Sequence, residues 1–481
     1  MKRTMINDIA KHEDQEVMLL GWVAVRRDHG KLVFIDLRDM SGVAQCVINQ
    51  KSEVGSPAFV KTSAGKQMSE IDKIRTEWVV KIIGTVNKRP EKMVNPDLAT
   101  GKHEIFVKEL EVLNEAQTLP IAIDTDGHEI GEESRLKYRY LDLRRQRLQN
   151  NLKARHQVNQ FIRDYLSQKH FTEIETPIIS KSTPEGARDY LVPSRIYPGK
   201  FYALPQSPQQ YKQLLMVSSL ERYFQIARCF RDEDTRGDRQ PEFTQLDLEM
   251  SFVEREDVMN LIEDLYIKIV ESLFPEKKIQ KKPFPRLSYE EAMKKYNSDK
   301  PDLRSDKNNH DELAFVWVTD FPFFEKTEDG GWTFTHNPFS ASKDDHMDWL
   351  MSKKNIDKIL TTQYDLVLNG YEIGGGSIRN HRSEALRKVF EIMGMDENKI
   401  KNNFGHMLEA LSFGAPPHGG IAMGLDRLMA ILMNEPNIRE VIAFPKTGDA
   451  RDLMMEAPSE VDKKQLDELG LSINKSRKKS K

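Results

Sequence analysis

Acidic and basic side chains are closely interspersed between Arg231 and Glu249, in the segment RDEDTRGDRQPEFTQLDLE. The preceding segment RYFQIA and the last five residues alternate between apolar and polar side chains, which predicts an antiparallel strand pair joined by a charged loop. A solvated hairpin tip would explain the charges. However, Arg231 and Glu233 follow directly on the apolar strand, and Phe243 falls in phase with the polar face. Together these groups could hold a planar anionic ligand such as a nucleotide.

The segments FRDED and RQPEFTQLDLE resemble motif 2 of the class II aminoacyl-tRNA synthetases, in the form found in aspartyl enzymes of bacterial type. The resemblance implies that Arg231 binds both the α-phosphate of ATP and the carboxylate of the amino acid. It also implies that Phe243 stacks on adenine. Further contacts that the resemblance implies are those of Asp232, Glu233 and Gln240 with ATP and of Asp247 with aspartate.

Two carboxylates flank a turn in QYDLVLNGYEIGGGSIR, which predicts strand, turn and strand. Asp365 and Glu372 are oxygen donors that could converge on one ATP, and Mg²⁺ prefers such ligands and bridges phosphates. The glycine run is no P-loop, because the GxxxxGK spacing is absent. We expect it to let a substrate approach the backbone closely. The resemblance implies that Glu372 contacts ATP and that Arg379 forks onto the β-carboxylate of aspartate, a geometry that lysine cannot copy.

A glycine-rich turn, a short strand and a helix are predicted for GAPPHGGIAMGLDRLMAILM, from Gly414 to Met433. Backbone N–H groups at a helix start favour phosphate binding, and Arg427 lies near the predicted start. The segment resembles motif 3 of the class II enzymes. The resemblance implies that Arg427 contacts the γ-phosphate and packs on adenine opposite Phe243, and that Arg231, Glu372 and Arg427 form the catalytic set. Further ATP contacts are implied for Gly424, Leu425 and Asp426.

Two loop-like segments, TPEGARDY and QSPQQYK, carry polar side chains that are normally solvated. By resemblance, Glu185 belongs to a mobile loop that closes over aspartate, and Ser207, Gln209 and Lys212 line the amino-acid pocket. His336 in FTHNPFS is a lone histidine, and such a residue is more often structural than functional. The similarity of this segment to the family's His-x-Pro-Phe loop implies that His336 also contacts aspartate.

These residues belong to a chain of 481 residues, long enough for two to four domains because single hydrophobic cores stop growing at about 250 to 300 residues. With a net charge of −3 and an isoelectric point near 6.5, any nucleic-acid contact must come from local patches. Cys46 and Cys229 are too few and too isolated for a disulfide framework or a zinc site. Neither a signal peptide nor an apolar span of about 20 residues is evident. We therefore expect a soluble cytoplasmic protein.

Residues 1–113 contain several strand-like segments separated by turns, with a predicted helical stretch near Pro57 to Thr76. This pattern suits an OB-fold barrel, whose open face binds single-stranded nucleic acid. The segment GWVAVRRDHGKLVFIDLRD resembles the anticodon-binding barrel of the aspartyl enzymes. The resemblance implies that Phe34 stacks on an unpaired anticodon base while Arg27 and Gln45 bind base edges. Without it, a surface arginine beside a core phenylalanine would be the simpler interpretation.

Two positions bear on which tRNA the barrel accepts. A histidine in the place of His29 resembles aspartyl enzymes that also charge tRNA-Asn, whereas Lys92 resembles those that accept only tRNA-Asp. The two anticodons differ at one letter, so a small change in the barrel face could relax discrimination. His29 could equally be an exposed turn residue, and the sequence leaves both interpretations open.

The rest of the chain is organised around the catalytic motifs. Residues 114–135 predict a linker or hinge, residues 136–460 the catalytic domain, and residues 461–481 an extension with a basic, disordered tail. A long helix is predicted from Tyr138. Most bacterial aspartyl enzymes insert an extra domain where this chain has a short connection near 286–314. Pro177 matches the motif 1 proline, which implies a homodimer with this residue at the interface.

We therefore expect an α+β protein in which an N-terminal OB-fold β-barrel precedes a class II catalytic domain, built on an antiparallel sheet with flanking helices. The resemblance implies an enzyme that activates L-aspartate with ATP and Mg²⁺ and transfers it to tRNA-Asp, and to tRNA-Asn if His29 relaxes discrimination. Two alternatives are a tRNA-independent ligase of the asparagine synthetase type, which would lack the barrel, and an inactive RNA-binding paralogue, which would lack motif residues.

Overall fold

The computed structural model describes residues 1–30, 32–49, 59–62, 67–68, 73–182 and 185–473, with the backbone alone at 59–62 and 67–68. The chain divides into two compact units, Met1–Pro120 and Ile121–Lys481. Each unit has its own hydrophobic core, as expected for a chain of this length. The tail predicted to be disordered lies largely outside the described residues.

The first unit is a β-barrel. Apolar side chains at alternate positions of its first strand, including Val17, Leu19 and Val23, are buried in the core. Short 3-10 helices lie at Ile6–His12 and Glu91–Met93. The strands are β1 (Glu16–His29), β2 (Leu32–Arg38), β3 (Val43–Asn49), β4 (Phe59–Thr62), β5 (Gln67–Met68), β6 (Val79–Lys88) and β7 (His103–Asn114).

The strand order β3-β2-β1-β6-β7 closes on itself, because β3 also pairs with β7 in parallel, at Cys46 and Ile105. These five strands form the barrel predicted as an OB-fold. The helix predicted near Pro57 to Thr76 is wrong for the residues of that stretch that the structure describes, because they form β4, β5 and an irregular segment at 73–76. Pairing of β4 with the edge of β7 overrides the local helical pattern. The other residues of the stretch lie outside the described ranges.

The second unit is built on an eight-stranded sheet of order β14-β16-β19-β20-β21-β12-β11-β8, antiparallel except at its two ends. The strands of this unit are β8 (Thr172–Glu173), β9 (Leu191–Pro193), β10 (Phe201–Ala203), β11 (Arg222–Phe230), β12 (Glu242–Ser251), β13 (Lys278–Ile279), β14 (Arg286–Ser288), β15 (Glu312–Leu313), β16 (Phe315–Thr319), β17 (Phe324–Lys326), β18 (Trp332–Phe334), β19 (Gln363–Leu368), β20 (Tyr371–Ile378) and β21 (His418–Gly424).

Helices pack against this sheet, which confirms the predicted α+β class. Three of them, α3 (Gln146–Gln168), α5 (Arg255–Leu273) and α10 (Leu425–Leu432), bury Ile162, Ile262 and Leu428 in the main core with the apolar residues of the central strands. The helices are α1 (Glu132–Lys137), α2 (Arg139–Asp142), α3 (Gln146–Gln168), α4 (Gln209–Val217), α5 (Arg255–Leu273), α6 (Tyr289–Tyr296), α7 (Met347–Ser352), α8 (Ser383–Ile392), α9 (Glu397–Ser412), α10 (Leu425–Leu432) and α11 (Lys463–Glu468).

The single long helix predicted from Tyr138 is wrong in its first turns, because α1 and α2 are separate and α3 begins only at Gln146. The buried carboxylate of Asp142 accepts hydrogen bonds from Arg135 Nε (3.1 Å), Arg139 Nη1 (2.7 Å) and Arg145 Nε (2.7 Å). This convergence of charges fixes the chain where the helices break. Helix α1 also begins within the segment expected to be a linker.

Candidate active site and nucleic-acid interface

The predicted hairpin around the charged loop is confirmed, since β11 and β12 are antiparallel neighbours. Phe243 lies on the same face of β12 as Gln245, Asp247 and Glu249, as its phase predicted. The guanidinium of Arg231 lies over the Phe243 ring, 5.1 Å from the centroid. Its Nε is buried and has no hydrogen-bond partner among the described residues. A buried donor without a partner remains available to a ligand.

A cavity of about 380 Å³ opens on this face of the sheet, a volume suited to a small-molecule ligand. Four of the residues predicted to bind aspartate, ATP or Mg²⁺ do not line it, namely Asp232, Asp247, Asp365 and Leu425. The others do, although they come from distant parts of the chain: Glu185, Ser207, Gln209, Lys212, Arg231, Glu233, Gln240, Phe243, His336, Glu372, Arg379, Gly424, Asp426 and Arg427.

Four buried charges form a cluster in the wall of this cavity. Arg379 bonds both oxygens of Glu249, with Nε 2.9 Å from Oε1 and Nη2 3.1 Å from Oε2, and Nη1 donates to Ser377 Oγ at 2.9 Å. Lys212 Nζ lies 2.7 Å from Asp247 Oδ1 and 3.3 Å from Glu249 Oε2. A guanidinium has five N–H groups, so Arg379 keeps two for a ligand.

Burial and charge act differently on the two acids of this cluster. Burial raises the pKa of Asp247 and outweighs the opposing charge of Lys212, and its Oδ2 has no hydrogen-bond partner among the described residues. Burial also works against ionised Glu249, but Arg379 and Lys212 outweigh it and lower its pKa. Sequence reasoning assigned no role to Glu249. The sequence signal that could have identified Glu249 is its position two residues after Asp247 and four after Gln245, which places all three on one face of β12.

His336 and Asp365 form a second pair beside the cavity. His336 Nε2 is 3.4 Å from Asp365 Oδ2, and Gln363 Nε2 donates to Asp365 Oδ1 at 2.7 Å. Burial disfavours the imidazolium, but the hydrogen bond and charge of Asp365 outweigh it and raise the pKa of His336. Asp365 is itself fully buried behind His336. Both carboxylate oxygens of Asp365 have a partner, since Oδ2 lies next to His336 Nε2 and Oδ1 accepts from Gln363 Nε2.

Glu372 faces the cavity from β20, where Lys300 Nζ lies 2.9 Å from its Oε2. Arg427 Nη1 donates to the backbone oxygen of Glu372 at 2.7 Å, and Arg427 Nη2 is 3.1 Å from Asp238 Oδ2. Two cations and two acids thus line one part of the cavity. Sequence reasoning missed both Lys300 and Asp238, because neither segment shows a pattern that ties it to β20.

The glycines of β20 were expected to let a substrate approach the backbone closely, but the space beside them is taken up by neighbouring residues of the sheet. A Cβ at Gly374 would lie 2.1 Å from Met423 Sδ, and one at Gly376 would lie 2.2 Å from the Gly420 carbonyl oxygen. A Cβ at Gly375 would meet Asp365 Oδ1 at 2.8 Å. Larger residues would therefore displace β21 or Asp365 before they met a substrate.

Glu185 is held by polar neighbours on one side of the cavity. Its Oε2 accepts from Ser207 Oγ at 3.2 Å and its Oε1 from Gln210 Nε2 at 3.1 Å. His406 Nε2 lies 2.8 Å from Gln210 Oε1. On α4, Gln209 Nε2 donates to Gln213 Oε1 at 3.0 Å. The first two residues of TPEGARDY lie outside the described ranges.

Several of the residues predicted to contact ATP are engaged by the protein itself. Gln240 bonds the backbone of Lys446 through both its Oε1 (2.7 Å) and its Nε2 (3.1 Å). Asp426 accepts from the Thr244 amide at 2.9 Å and pairs with Arg155. The Leu425 side chain is buried in the core. Asp232 is half exposed, and its nearest cation is Arg188 at 3.9 Å.

The predicted anticodon residues share one face of the barrel. Arg27 lies opposite Phe34 in the register of β1 and β2, and its guanidinium bonds both oxygens of Asp36, at 2.7 and 2.8 Å. Gln45 Oε1 is 3.4 Å from Arg27 Nη2, and Gln45 Nε2 donates to Glu104 Oε2 at 2.9 Å. The structure therefore brings together an aromatic ring and a polar network.

The two discrimination positions differ in their surroundings. The His29 ring stands edge-on to the Phe34 ring, with centroids 5.5 Å apart. Lys92 is exposed on the short 3-10 helix Glu91–Met93. His29 is thus in contact with a residue predicted to stack on the anticodon, which a simple turn residue need not be.

Pro177 is exposed in the single chain, next to Ile178 and Ile179, whose exposed fractions are 42% and 53%. Cys46 and Cys229 are free and buried. Within the described ranges no group of three or more His, Cys, Asp or Glu side chains could hold a metal ion. Across the same part of the chain, no helix is long and apolar enough to cross a membrane.

Two family profiles match the chain. The family described as tRNA synthetases class II (D, K and N) matches residues 131–448, and the family described as OB-fold nucleic acid binding domain matches residues 17–113. The chain also resembles a solved asparaginyl-tRNA synthetase from Pyrococcus horikoshii with a TM-score of 0.73 and 22% identity, covering 93% of this chain and 98% of that one. At this identity the likeness shows the fold alone.

Curated relatives are similar over nearly their whole length. An aspartate–tRNA(Asp/Asn) ligase of Rubrobacter xylanophilus is 41% identical, covering 96% of this chain and 95% of the relative. An aspartate–tRNA ligase of Staphylococcus saprophyticus is 40% identical, covering 96% and 97%. These alignments span 590 and 586 positions, whereas the chain has 481 residues. The relatives therefore contain residues that this chain lacks.

Proposed function

The chain belongs to the class II aminoacyl-tRNA synthetases, in their aspartate–tRNA ligase family, and from this premise we propose roles for the residues of its cavity. The enzyme activates L-aspartate with ATP and joins it to tRNA. One observation carries the choice of amino acid: the buried cations Lys212 and Arg379 line the same cavity as Arg231 and Arg427. A carboxylate side chain can accept from both N–H groups that Arg379 has left, a fork geometry that a side-chain amide with a single oxygen cannot match.

In the first step an oxygen of the substrate α-carboxylate attacks the α-phosphorus of ATP. The bond from this phosphorus to the bridging oxygen breaks, and pyrophosphate leaves with its electron pair. We propose that Arg231 binds the attacking carboxylate and the α-phosphate, that Phe243 stacks on adenine and that Arg427 binds the γ-phosphate. No side chain forms a covalent intermediate, so catalysis comes from positioning and charge neutralisation.

In the second step a hydroxyl of the terminal tRNA ribose attacks the carbonyl carbon of aspartyl-adenylate. The bond from that carbon to the phosphate oxygen breaks, AMP leaves and the hydroxyl proton is released. The aspartyl group is then an ester of the tRNA. The OB-fold domain supports this assignment, because such barrels bind single-stranded nucleic acid.

We propose that Arg379 forks onto the β-carboxylate of aspartate through the two N–H groups that Glu249 and Ser377 leave over. Lys212 would add a second positive charge beside it. The substrate ammonium group would donate to Asp247 and Glu185, and Ser207 and Gln209 would lie beside Glu185. His336 would cover the bound amino acid. The buried, unpartnered Oδ2 of Asp247 supports this role.

We propose that Glu372 and Asp365 hold Mg²⁺. When bound, this ion neutralises and orients the phosphates of ATP. The fit rests on donor chemistry, because both residues offer the oxygen ligands that Mg²⁺ prefers. Glu372 lines the cavity, whereas the Oδ2 of Asp365 is paired with His336. His336 would therefore have to release Asp365 before that oxygen could serve as a ligand.

For the barrel we propose anticodon binding, with Phe34 stacking on a base and Arg27 and Gln45 contacting base edges. We also propose that tRNA-Asn is a second acceptor. The contact between the rings of His29 and Phe34 supports this, since His29 would then influence the base that Phe34 meets. The relative named as an aspartate–tRNA(Asp/Asn) ligase is 41% identical to this chain, and the relative named as an aspartate–tRNA ligase is 40% identical.

We further propose a homodimer with Pro177 at its interface, supported by the exposed apolar residues Ile178 and Ile179. A cytoplasmic location is proposed from the two free, buried cysteines, which suit a reducing compartment.

The test of the proposed function is charging of tRNA-Asp transcript with labelled L-aspartate, together with ATP–pyrophosphate exchange in the absence of tRNA. We expect aspartate-dependent exchange and formation of aspartyl-tRNA. Exchange without charging would favour a tRNA-independent ligase, and tRNA binding without exchange would favour an inactive paralogue. Either result would overturn the proposal.

A further inference from the structure

Lys300 lies on the short connection between α6 and β15, yet its side chain reaches the catalytic cavity. Its Nζ is 2.9 Å from Glu372 Oε2, and it lines the cavity together with Arg427 and Asp238. The segment SDKPDLR that contains it lies where most bacterial aspartyl enzymes begin their inserted domain. The short connection therefore contributes a residue to the cavity.

The connection is fixed by hydrogen bonds on both sides of Lys300. The Lys300 amide donates to Ser298 Oγ at 3.0 Å, and the Arg304 amide donates to Asp302 Oδ1 at 3.1 Å. Gln280 Nε2 donates to the Leu303 carbonyl oxygen at 2.6 Å, which ties the segment to its neighbour. Lys300 is thus a lysine on an anchored segment, directed at the cavity.

A structural role as counter-ion to Glu372 explains little of this arrangement. The two side chains are 40% and 29% exposed, and ion pairs with this much exposure contribute little to stability. Arg427 also bonds the backbone oxygen of Glu372 and pairs with Asp238. Lys300 and Arg427 therefore both present a cation next to Glu372, in the part of the cavity proposed for the phosphates.

We propose that Lys300 is a further catalytic residue, one that binds the β- and γ-phosphates that leave as pyrophosphate. This inference rests on the proposed function. In the presence of ATP, the Lys300 ammonium exchanges Glu372 for a phosphate oxygen, which leaves the Glu372 carboxylate free for Mg²⁺. The added positive charge stabilises the negative charge that develops on pyrophosphate as the bond to the α-phosphorus breaks.

Calorimetric titration of Lys300→Met with inorganic pyrophosphate and with AMP, each with and without Mg²⁺, tests the proposal. We expect the Kd for pyrophosphate to rise at least tenfold under both conditions and the Kd for AMP to change less than twofold. Lys300→Arg should recover most of the pyrophosphate affinity. The matched control is Lys307→Met, an exposed lysine of the same connection, which should bind both ligands as the wild type does.

Three results would overturn the proposal. The first is a Kd of Lys300→Met for pyrophosphate equal to that of the wild type, and the second is an equal loss of affinity for AMP and for pyrophosphate. The third is tighter binding of pyrophosphate by Lys300→Met than by the wild type in the presence of Mg²⁺, which would make Lys300 only a counter-ion of Glu372. Thermal unfolding of each variant excludes misfolding as the cause. If the wild type itself shows no aspartate-dependent exchange, the proposed function fails; if it does and Lys300→Met matches it in every titration, this inference alone fails.

Discussion

Arg379 and Glu249 form a two-pronged buried ion pair in the wall of the cavity, with Nε 2.9 Å from Oε1 and Nη2 3.1 Å from Oε2. The pair orients the guanidinium before any substrate arrives, because Glu249 and Ser377 occupy three of its five N–H groups. The remaining two can meet a carboxylate. If Arg379 binds the substrate as proposed, selection of aspartate depends on Glu249 on β12, which holds Arg379 directly after β20.

Replacement of Arg379 by Lys should lower kcat/KM for aspartate in ATP–pyrophosphate exchange by about thirtyfold. Loss of the bidentate charged hydrogen bonds accounts for about 2 kcal/mol. The KM for ATP should change less than threefold, because the ATP residues are elsewhere in the cavity. Arg387→Lys is the matched control, because Arg387 is a partly exposed arginine of α8 that pairs with Glu397 outside the cavity. Unchanged aspartate kinetics in a folded Arg379→Lys enzyme would refute the assignment.

Replacement of Asp365 by Asn should raise the Mg²⁺ concentration needed for half-maximal adenylate formation, because an amide is a poorer ligand for this ion than a carboxylate. We expect a shift of about tenfold or more, equivalent to about 1.4 kcal/mol. The exposed Asp357→Asn serves as the control. A Mg²⁺ titration that superimposes on the wild type would remove Asp365 from the proposed metal site.

The proposed second acceptor predicts comparable charging of tRNA-Asp and tRNA-Asn transcripts by the wild-type enzyme. In His29→Leu the charging of tRNA-Asn should fall about tenfold or more relative to that of tRNA-Asp, since base contacts on nucleic acids are worth about 1 to 3 kcal/mol. The same two charging efficiencies are measured for Lys92→Ala, which changes the second discrimination position, on the 3-10 helix Glu91–Met93. Strict preference of the wild type for tRNA-Asp would end the idea.

The Asp142 cluster predicts how the second unit responds to acid. Burial opposes ionisation of Asp142, but the hydrogen bonds of Arg135 and Arg145 outweigh it, and the folded-state pKa is lowered. The stabilisation is therefore complete above the unfolded-state pKa of about 3.9 and is lost as the pH falls through the lower folded-state value. Asp142→Asn should cost about 3 to 5 kcal/mol at pH 7, because the buried Arg139 and Arg145 lose the carboxylate with which they pair.

Urea unfolding of both proteins at pH 7, 5 and 3 measures this difference. The gap between the wild type and Asp142→Asn should be largest at pH 7 and 5 and should shrink at pH 3. The exposed Asp164→Asn on α3 should follow the wild type at every pH. A constant gap across the three pH values would contradict the lowered pKa.

Local patterns predicted those parts of the site that a short stretch of chain builds by itself. The β11–β12 hairpin, the β19–β20 pair and the β21–α10 turn are confirmed, since each is encoded by alternation or by a glycine turn. The phase of Phe243 followed from the same alternation.

Partners joined across the sheet were not predictable in this way. Arg379 and Glu249 are 130 residues apart, and the contact of Lys300 with Glu372 requires the packing of a loop on β20. Likewise, the helix break before Gln146 depends on charges that converge on Asp142. Strand β4 forms because β7 has an unpaired edge, a tertiary cause that overrides a local helical pattern.

The central claim, that the cavity selects a carboxylate side chain, is tested most directly by ATP–pyrophosphate exchange of the wild-type enzyme with L-aspartate and L-asparagine side by side. A site built to bond a charged group rejects an analogue without it by about 10⁴-fold or more. We predict exchange with aspartate and a kcat/KM for asparagine lower by at least about 10³. Equal or faster exchange with asparagine would contradict the roles assigned to Arg379 and Lys212.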